Sequence, residues 1–554
     1  MRRDFTILTS IAAVLLLFSA PIYAQRVERV WFSTDRSIYV AGERIWCSAL
    51  CMDVATRTPS ELSSIAYMEL QSASGVAKTA KIALMEGRGA GYIDLPNTLP
   101  TGNYRLIAYT SANFNEQGYD FEASFSREIS IFNVLSTARS GDVKVIEEND
   151  YLAAVAAAPS IKPCADVQIS VAPEAGRLHQ IPVSIINNTN EEITFSLSIF
   201  NEDGILVVNV TGPEEFLELL PDANKVIFDR NRTPEYEGEI ITAQSNEKTA
   251  YISAIGNYSD LYIAETAEDG TVRFFTSNIY GDVELVGNVN SINQPFVEPQ
   301  LNAPSPLLMS ESLRDRLEFR GAAMQIGRRF DSDTLCELLP KRENTLLGAE
   351  RITYLLDDYT RFPLMEEVIV EYISQIRARK KADGTRDIQV KIEDVFRVGE
   401  FAEDASLMMV DGVPVFDHEK IYRYDPMLVE SIDIYPYSYF IGNRQFDGIV
   451  NMKTYKGTIP SLTFGPEVRI IEFQGAAIPM AYTCRNLAEN AEYPDYRQTL
   501  YWHPLLTTGA VGTTDSSITI ICNTPDYSGT FSIVVEGITS SGRPVFSKQA
   551  FKVH

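Results

Sequence analysis

Cysteine and histidine are scarce in this chain of 554 residues. It contains six cysteines and four histidines, with neither a Cys-x-x-Cys pair nor a Cys/His cluster of the kind that binds zinc. This scarcity argues against a metalloenzyme, and we expect no metal and no cofactor. Cys47 and Cys51 fall in one predicted strand, where about 3.3 Å per residue separates them by about 13 Å, too far for a disulfide. We interpret them as small buried hydrophobic residues.

Positive charge is also in short supply. Lys and Arg number 48 against 74 Asp and Glu, which gives a net charge of -26. Such a surface repels polyphosphate, so we expect no nucleic-acid partner, and anionic lipid headgroups are disfavoured for the same reason. The hydrophobic content of 45% is ample for packed cores, so the acidity belongs to the surface of several folded domains.

Long apolar runs are absent after the N-terminus, where a spanning helix would need about 18 such residues. The N-terminus itself has a basic start at Arg2 and Arg3, an apolar stretch over residues 7–18 and a small-residue exit at Ala24. This pattern predicts a signal peptide over residues 1–24. We expect an exported protein of the periplasm, with association with the outer membrane left open.

Motifs that would mark an active site are missing as well. There is no Gly-x-Ser-x-Gly elbow, and the glycines of residues 87–91 precede a strand rather than a helix, which favours a turn over a phosphate loop. The acidic pairs at 357–358 and 366–367 suit the start of a helix. The cluster Asp417-His418-Glu419 lacks a second histidine, so a solvated turn is the better interpretation. We expect no enzymatic activity.

Short alternating segments separated by turn residues fill residues 25–136 and predict an Ig-like β-sandwich. One part of this region resembles a macroglobulin domain of the alpha-2-macroglobulin family. The residues that carry the resemblance are Thr34-Asp35, Tyr39, Gly42-Glu43, Leu95-Pro96 and Thr101-Gly102-Asn103-Tyr104. The covalent protease trap of that family needs a Cys-Gly-Glu-Gln thioester, and no cysteine here is followed by glycine. Only non-covalent inhibition of endopeptidases is left as an alternative function.

Further segments of the chain show the same alternation of strands and turns. A strand, turn and strand over residues 181–199 predict a second Ig-like sandwich at 160–230. The Asp269-Gly270 turn lies in a third β-rich block, 238–290, which is similar to the regulatory sandwich domains of carboxypeptidases. Residues 291–350 are predicted to be a linker with a helix, marked by Leu313, Leu317 and Met324.

Residues 351–457 begin with a predicted helix whose apolar stripe runs from Leu364 to Ile376. A basic segment then surrounds Asp383-Gly384, a hairpin signal; such a segment is usually a solvated face, the alternative being docking to an acidic partner or to lipid phosphates. Three segments, 407–415, 427–435 and 446–454, resemble in order and spacing the plug domain of TonB-dependent outer-membrane receptors.

The remaining length departs from the receptor pattern. A barrel of roughly 22 strands at about ten residues each needs some 220 residues, whereas 554 minus 457 leaves 97. Residues 458–554 are predicted to hold a linker and C-terminal β-sandwich strands. The whole order resembles barrel-less plug-domain proteins of Bacteroidetes type. The expected fold is therefore mostly β with a small α+β part: tandem Ig-like or macroglobulin-like sandwiches plus a plug-like α+β domain.

Together these features predict a non-enzymatic exported protein that binds or scaffolds partners at the outer membrane. The partners implied by the resemblance are envelope or outer-membrane proteins; peripheral membrane association and the oligomeric state are left open. We expect the contact region at the plug turn and at two nearby strands, mainly by resemblance. Its residues are Asp411, Gly412, Val413, Pro414, Glu430, Ser431 and Gly448.

Overall fold

The computed structural model describes residues 27–115, 118–119, 125–207, 210–222, 233–255, 260–277, 279–293, 296, 303–329, 335–337, 350–394, 397–482 and 494–554. The predicted signal peptide, 1–24, lies outside the described residues.

The first sandwich is built from the strands of residues 28–132. They are β1 Glu28–Thr34, β2 Ile38–Val40, β3 Arg44–Asp53, β4 Ile65–Ser72, β5 Gly75–Ala83, β6 Arg88–Asp94, β7 Gly102–Tyr109, β8 Phe114–Asn115, β9 Gly118–Tyr119 and β10 Ser126–Phe132. One described sheet has the order β1-β3-β6 and the other β2-β10-β7-β4-β5. Trp31, Met68 and Ile129 belong to the core that these sheets share.

The described residues of the central part of the chain contain more strands and three α-helices. They are β11 Val143–Val145, α1 Glu148–Ala156, β12 Val167–Ser170, β13 Glu174–Ala175, β14 Gln180–Asn187, β15 Ile193–Asn201, α2 Pro213–Glu218, β16 Ile240–Gln244, β17 Thr249–Ile255, β18 Leu261–Glu265, β19 Thr271–Phe275, β20 Asp282–Gly287, β21 Ser291–Ile292, β22 Leu307–Met309, α3 Arg314–Arg329 and β23 Leu335–Glu337. Helix α3 confirms the helix expected from Leu317 and Met324.

The remaining elements follow from residue 352 onward. They are β24 Ile352–Leu355, α4 Met365–Tyr372, β25 Ile376–Lys380, β26 Arg386–Val390, β27 Leu407–Val410, β28 Val413–Pro414, α5 His418–Tyr422, β29 Val429–Ile441, β30 Arg444–Thr454, β31 Arg469–Gln474, β32 Met480–Tyr482, β33 Thr499–Thr508, β34 Ser517–Asn523, β35 Gly529–Thr539 and β36 Pro544–Val553.

The second sandwich joins two distant parts of the chain. Its described sheets have the orders β12-β14-β34 and β13-β36-β35-β15-β33. Ile181 pairs with Cys522 in one sheet, and Leu197 with Val535 in the other. The sequence predicted separate sandwich domains at 160–230 and 458–554. This prediction is wrong, because the two segments form one sandwich together. Each supplies only some of the strands, so neither segment can bury its apolar faces without the other.

The third sandwich also combines strands from distant parts of the chain. Its described sheets are β19-β16-β21 and β18-β17-β20-β31. Strand β31 comes from residues 469–474 and pairs with β20, with Leu285 opposite Ile471. The block predicted at 238–290 thus takes a strand from the segment predicted at 458–554, because the edge of β20 needs an antiparallel partner.

The small α+β part follows. Its described sheet has the order β24-β29-β30-β27-β28, and α4 and the hairpin β25–β26 pack beside it in one core. Helix α4 ends at Tyr372, so Ile376, which the apolar stripe placed on the helix, begins β25 instead. Because the buried side chains of both elements belong to one core, the stripe runs on past the end of the helix. The chain is thus mostly β with tandem sandwiches and a small α+β part, as expected.

Candidate functional site

The predicted contact turn lies between β27 and β28. Asp411 and Gly412 have positive φ angles of 49° and 83°, as a tight hairpin turn between these strands requires. The Asp411 carboxylate accepts hydrogen bonds from Thr454 N, Thr454 Oγ1 and Ile459 N, each at 2.7 Å. Ser253 Oγ of the third sandwich donates to the Gly412 carbonyl at 2.7 Å. The turn therefore organises its own domain and the contact with the third sandwich.

The other predicted contact residues occupy the same sheet. Glu430 is exposed, whereas the six others of the set are buried. Gly448 has a φ of +77°, and a Cβ there would lie 2.3 Å from the Val390 Cβ. The structure thus brings these positions together in one packed core and gives most of them a structural role. Binding through them stays a prediction, with Glu430 alone on the surface.

The basic segment of the sequence forms a hairpin, which we call the basic ribbon (residues 376–390) and in which residues 377–384 are exposed. Strands β25 and β26 pair antiparallel, with Arg379 opposite Asp387 and Lys380 opposite Arg386. Gly384 in the turn has a φ of +87°, and Thr385 donates side-chain and backbone hydrogen bonds to the Asp383 carboxylate, which lowers the pKa of that carboxyl. The predicted hairpin is confirmed.

Two cations of the basic ribbon are paired with carboxylates. Lys381 Nζ lies 3.0 Å from Asp387 Oδ1. Arg386 Nη1 lies 2.7 Å from Glu366 Oε1 on α4, and its Nε lies 3.7 Å from Glu419 Oε1 on α5. These pairs tie the ribbon to the body of its domain.

The other cations of the ribbon have no carboxylate partner among the described residues. The Arg377 guanidinium stacks on the Phe401 ring at 4.4 Å, and Arg379 Nη1 donates to the Glu403 carbonyl at 3.2 Å. Lys380 is exposed. The ribbon therefore presents uncompensated positive charge on a strongly acidic protein.

The cluster Asp417-His418-Glu419 is not a solvated turn throughout. Asp417 caps α5 by accepting from Glu419 N at 3.1 Å, whereas His418 is buried and its Nδ1 accepts from Ile388 N at 2.8 Å. Burial lowers the pKa of the His418 imidazole. A backbone donor thus holds this histidine in its neutral form, because an imidazolium has no acceptor to offer. In the part of the chain that the structure describes, no group of three or more His, Cys, Asp or Glu side chains could hold a metal ion.

Cys47 and Cys51 are buried side chains of β3, as the sequence suggested. Burial raises the pKa of both thiols well above the usual value. Thiols that stay protonated are poor nucleophiles and poor metal ligands, which fits a packing role.

Sequence reasoning missed a charged cluster where the first and third sandwiches meet. Lys81 on β5 is 1% exposed, and its Nζ lies 2.6 Å from Glu239 Oε2 and 4.3 Å from the centre of the Phe473 ring. Nearby, Glu235 Oε1 accepts from the Tyr67 hydroxyl at 2.7 Å. No local signal could have found it, because Lys81 and Glu239 are 158 residues apart.

None of the described helices is both long and apolar enough to cross a membrane.

No protein-family model matches the chain, and no curated protein matches it in sequence. Among solved structures, the chain is similar to trypsin-activated alpha-2-macroglobulin from Escherichia coli, with 8% identity and a TM-score of 0.23, over 95% of this chain and 41% of that one. It is also similar to Salmonella alpha-2-macroglobulin reacted with methylamine, with 9% identity and a TM-score of 0.22, over 95% and 39%. A third is the Escherichia coli adhesin FdeC, with 12% identity and a TM-score of 0.15, over 51% and 65%.

The chain spans about two fifths of the length of the macroglobulin structures. The sandwich architecture rests on the sheets described above. The resemblance of residues 351–457 to a receptor plug stays a prediction.

Proposed function

We propose that this chain is a non-enzymatic exported protein of the bacterial envelope that binds a partner protein at the outer membrane. The contact is made by the basic ribbon of the plug-like domain, and the macroglobulin-like sandwiches act as its scaffold. The observation that carries the proposal is the exposed, uncompensated positive charge of Arg377, Arg379 and Lys380 on a chain with a net charge of -26. Local charge of the opposite sign steers an acidic partner to one place on the surface.

A protein partner fits the ribbon better than a lipid surface. Lys381 and Arg386 are neutralised by carboxylates, which leaves only three cations of the ribbon for an extended surface of anionic headgroups. The stack of Arg377 on Phe401 fixes one cation in place. Helix α4 packs beside β25, and its Val370 side chain is 69% exposed. Fixed charges next to apolar surface are typical of protein interfaces.

Crosslinking in envelope fractions tests the proposal. The tagged full chain is crosslinked at low and at high salt, and the adducts are compared with those of the double variant Arg379→Glu/Lys380→Glu. A matched control, Lys248→Glu/Lys552→Glu, reverses two exposed cations outside the ribbon. We expect a protein adduct that weakens with salt, is lost in the ribbon variant and persists in the control.

A second experiment distinguishes a protein partner from a membrane surface. Vesicles containing phosphatidylglycerol are mixed with the same proteins, and sedimentation measures binding. Ribbon-dependent binding to these vesicles without a protein adduct would replace the partner by a membrane surface. An adduct that survives in the ribbon variant would refute the ribbon as the contact.

A further inference from the structure

A cavity of about 460 Å³ lies away from the basic ribbon, where three parts of the chain meet. Its walls come from β3 and the turns around it in the first sandwich, from α3, and from two neighbouring pieces of chain, Tyr482 of β32 and the segment that leads into β33. Such a volume falls within the range of roughly 300–1,000 Å³ in which small molecules bind. No local pattern in the sequence indicates this cavity, because its walls are hundreds of residues apart.

Two arginines of the wall are neutralised by bidentate pairs. Arg44 Nε and Nη2 donate to Asp94 Oδ1 and Oδ2 at 2.7 and 3.0 Å. Arg497 Nε and Nη2 donate to Asp495 Oδ1 and Oδ2 at 2.8 and 2.7 Å. The Asp94 side chain is 60% exposed, so its remaining lone pairs are open to a ligand, whereas the Arg44 side chain is 22% exposed and its Nη1 donates to Met480 Sδ at 3.7 Å. Donors and acceptors therefore stand side by side without net charge.

The other charged groups of the wall also balance. Arg36 Nη2 lies 3.1 Å from Glu43 Oε1, and its Nε lies 3.4 Å from Asp35 Oδ2. Arg328 on α3 is exposed and donates to two neutral oxygens, one of them the Gly42 carbonyl at 2.5 Å. Among the described residues, four arginines thus face four carboxylates in and behind the wall, which carries no net charge there. An anionic ligand gains nothing from a wall with no net charge, and the acidic chain as a whole repels it.

Aromatic rings complete the wall. Trp46 packs edge-on against Tyr482, with ring centres 5.6 Å apart, and Tyr496 stacks on Tyr527. Tyr482 and Tyr496 are half-buried, so part of each ring stays open. Rigid rings beside fixed polar groups provide an apolar platform with hydrogen-bonding edges.

We propose that this cavity binds a neutral saccharide, a mono- or disaccharide unit. A sugar hydroxyl donates and accepts at the same time, so it can bridge the Arg44 guanidinium and the Asp94 carboxylate without bringing a charge. The carbon–hydrogen face of the sugar ring then packs on Tyr482 or Tyr496.

Saturation-transfer NMR on the full chain tests the proposal with maltose, cellobiose, lactose and N,N′-diacetylchitobiose as probes. Two adjacent alanines on α3 are each replaced by phenylalanine as a matched pair. Ala323 lines the cavity and is 6% exposed, whereas Ala322 is exposed. We expect saturation transfer to at least one disaccharide. Ala323→Phe should weaken its binding about tenfold or more, and Ala322→Phe should leave it unchanged.

The controls make each outcome decisive. Trialanine and triglutamate serve as neutral and acidic peptide probes, and preference for either over every sugar overturns the proposal. So does the absence of saturation transfer to all the disaccharides, or equal binding by Ala323→Phe and wild type. Thermal unfolding checks both alanine variants; if Ala323→Phe does not fold, Tyr482→Ala decides, since removal of that ring should weaken binding by a similar factor.

Discussion

Glu235 should make the junction between the first and third sandwiches less stable as pH rises. This carboxyl is 4% exposed, and burial raises its pKa from 4.5 to about 7. The folded state therefore holds the proton more tightly than the unfolded state. The stabilisation is fully present below pH 4.5 and is lost as pH rises through 7. At about 1.4 kcal/mol per tenfold change in proton affinity, the loss amounts to about 3 kcal/mol.

Glu235→Gln removes this dependence. The amide oxygen still accepts from the Tyr67 hydroxyl and from Ile240 N, as the carboxylate does, and it carries no charge at any pH. We expect Glu235→Gln to match wild type at about pH 4, below the pKa of the unfolded state, and to be more stable by up to about 3 kcal/mol at pH 8. Urea unfolding measures the difference at each pH, followed by tryptophan fluorescence in the variant Trp502→Phe, which leaves only Trp31 and Trp46 of the first sandwich as probes.

Glu239→Gln is the matched control, since it makes the same chemical change four residues away. It leaves the buried Lys81 ammonium without its carboxylate, and we expect a loss of about 3 kcal/mol at pH 8. The reasoning fails if Glu235→Gln is no more stable than wild type at pH 8, or if its gain is the same at about pH 4. It also fails if both variants shift stability in the same direction.

Other predictions address the plug-like domain and the alternative function. Asp411→Ala should destabilise the domain by about 3 kcal/mol, because backbone donors of Thr454 and Ile459 lose their acceptor; unchanged hydrogen exchange in β30 would contradict this. Gly448→Ala should lower the free energy of unfolding by at least about 2 kcal/mol and Gly384→Ala by about 1 kcal/mol, since only a Cβ at position 448 meets a close neighbour. Equal decreases in melting temperature would refute this difference. Trypsin and elastase should keep their activity on large protein substrates when this chain is present in molar excess over the protease. Inhibition would support the macroglobulin-like alternative.

Local signals predicted the local structure well. The apolar alternation of residues 181–199 corresponds to β14 and β15, in which Ile181, Val183 and Ile185 are buried. Asp383-Gly384 forms the turn of the basic ribbon, and residues 407–415 form a buried strand and a tight turn. In each case the determining interactions lie within a few residues, so period and turn chemistry suffice.

The candidate sites were harder to foresee. The valine-aspartate-glycine turn at Asp411 stands out in the sequence, yet its side chain serves Thr454 and Ile459 of its own domain. A turn that is conspicuous for its dihedral angles looks the same in sequence whether it faces solvent or the core. The basic ribbon was visible as charge, but its pairing with Glu366 was not, because that contact depends on where α4 packs.

The sequence by itself determined the fold class, the succession of strands and the acidic surface, since these follow from composition and from periodicities over a few residues. Only the tertiary structure decided which strands share a sheet. Leu197 lies opposite Val535, and the first sandwich reaches the third through Lys81 and Glu239. Strand edges accept any partner of suitable register, and the choice depends on how several apolar faces are buried at once.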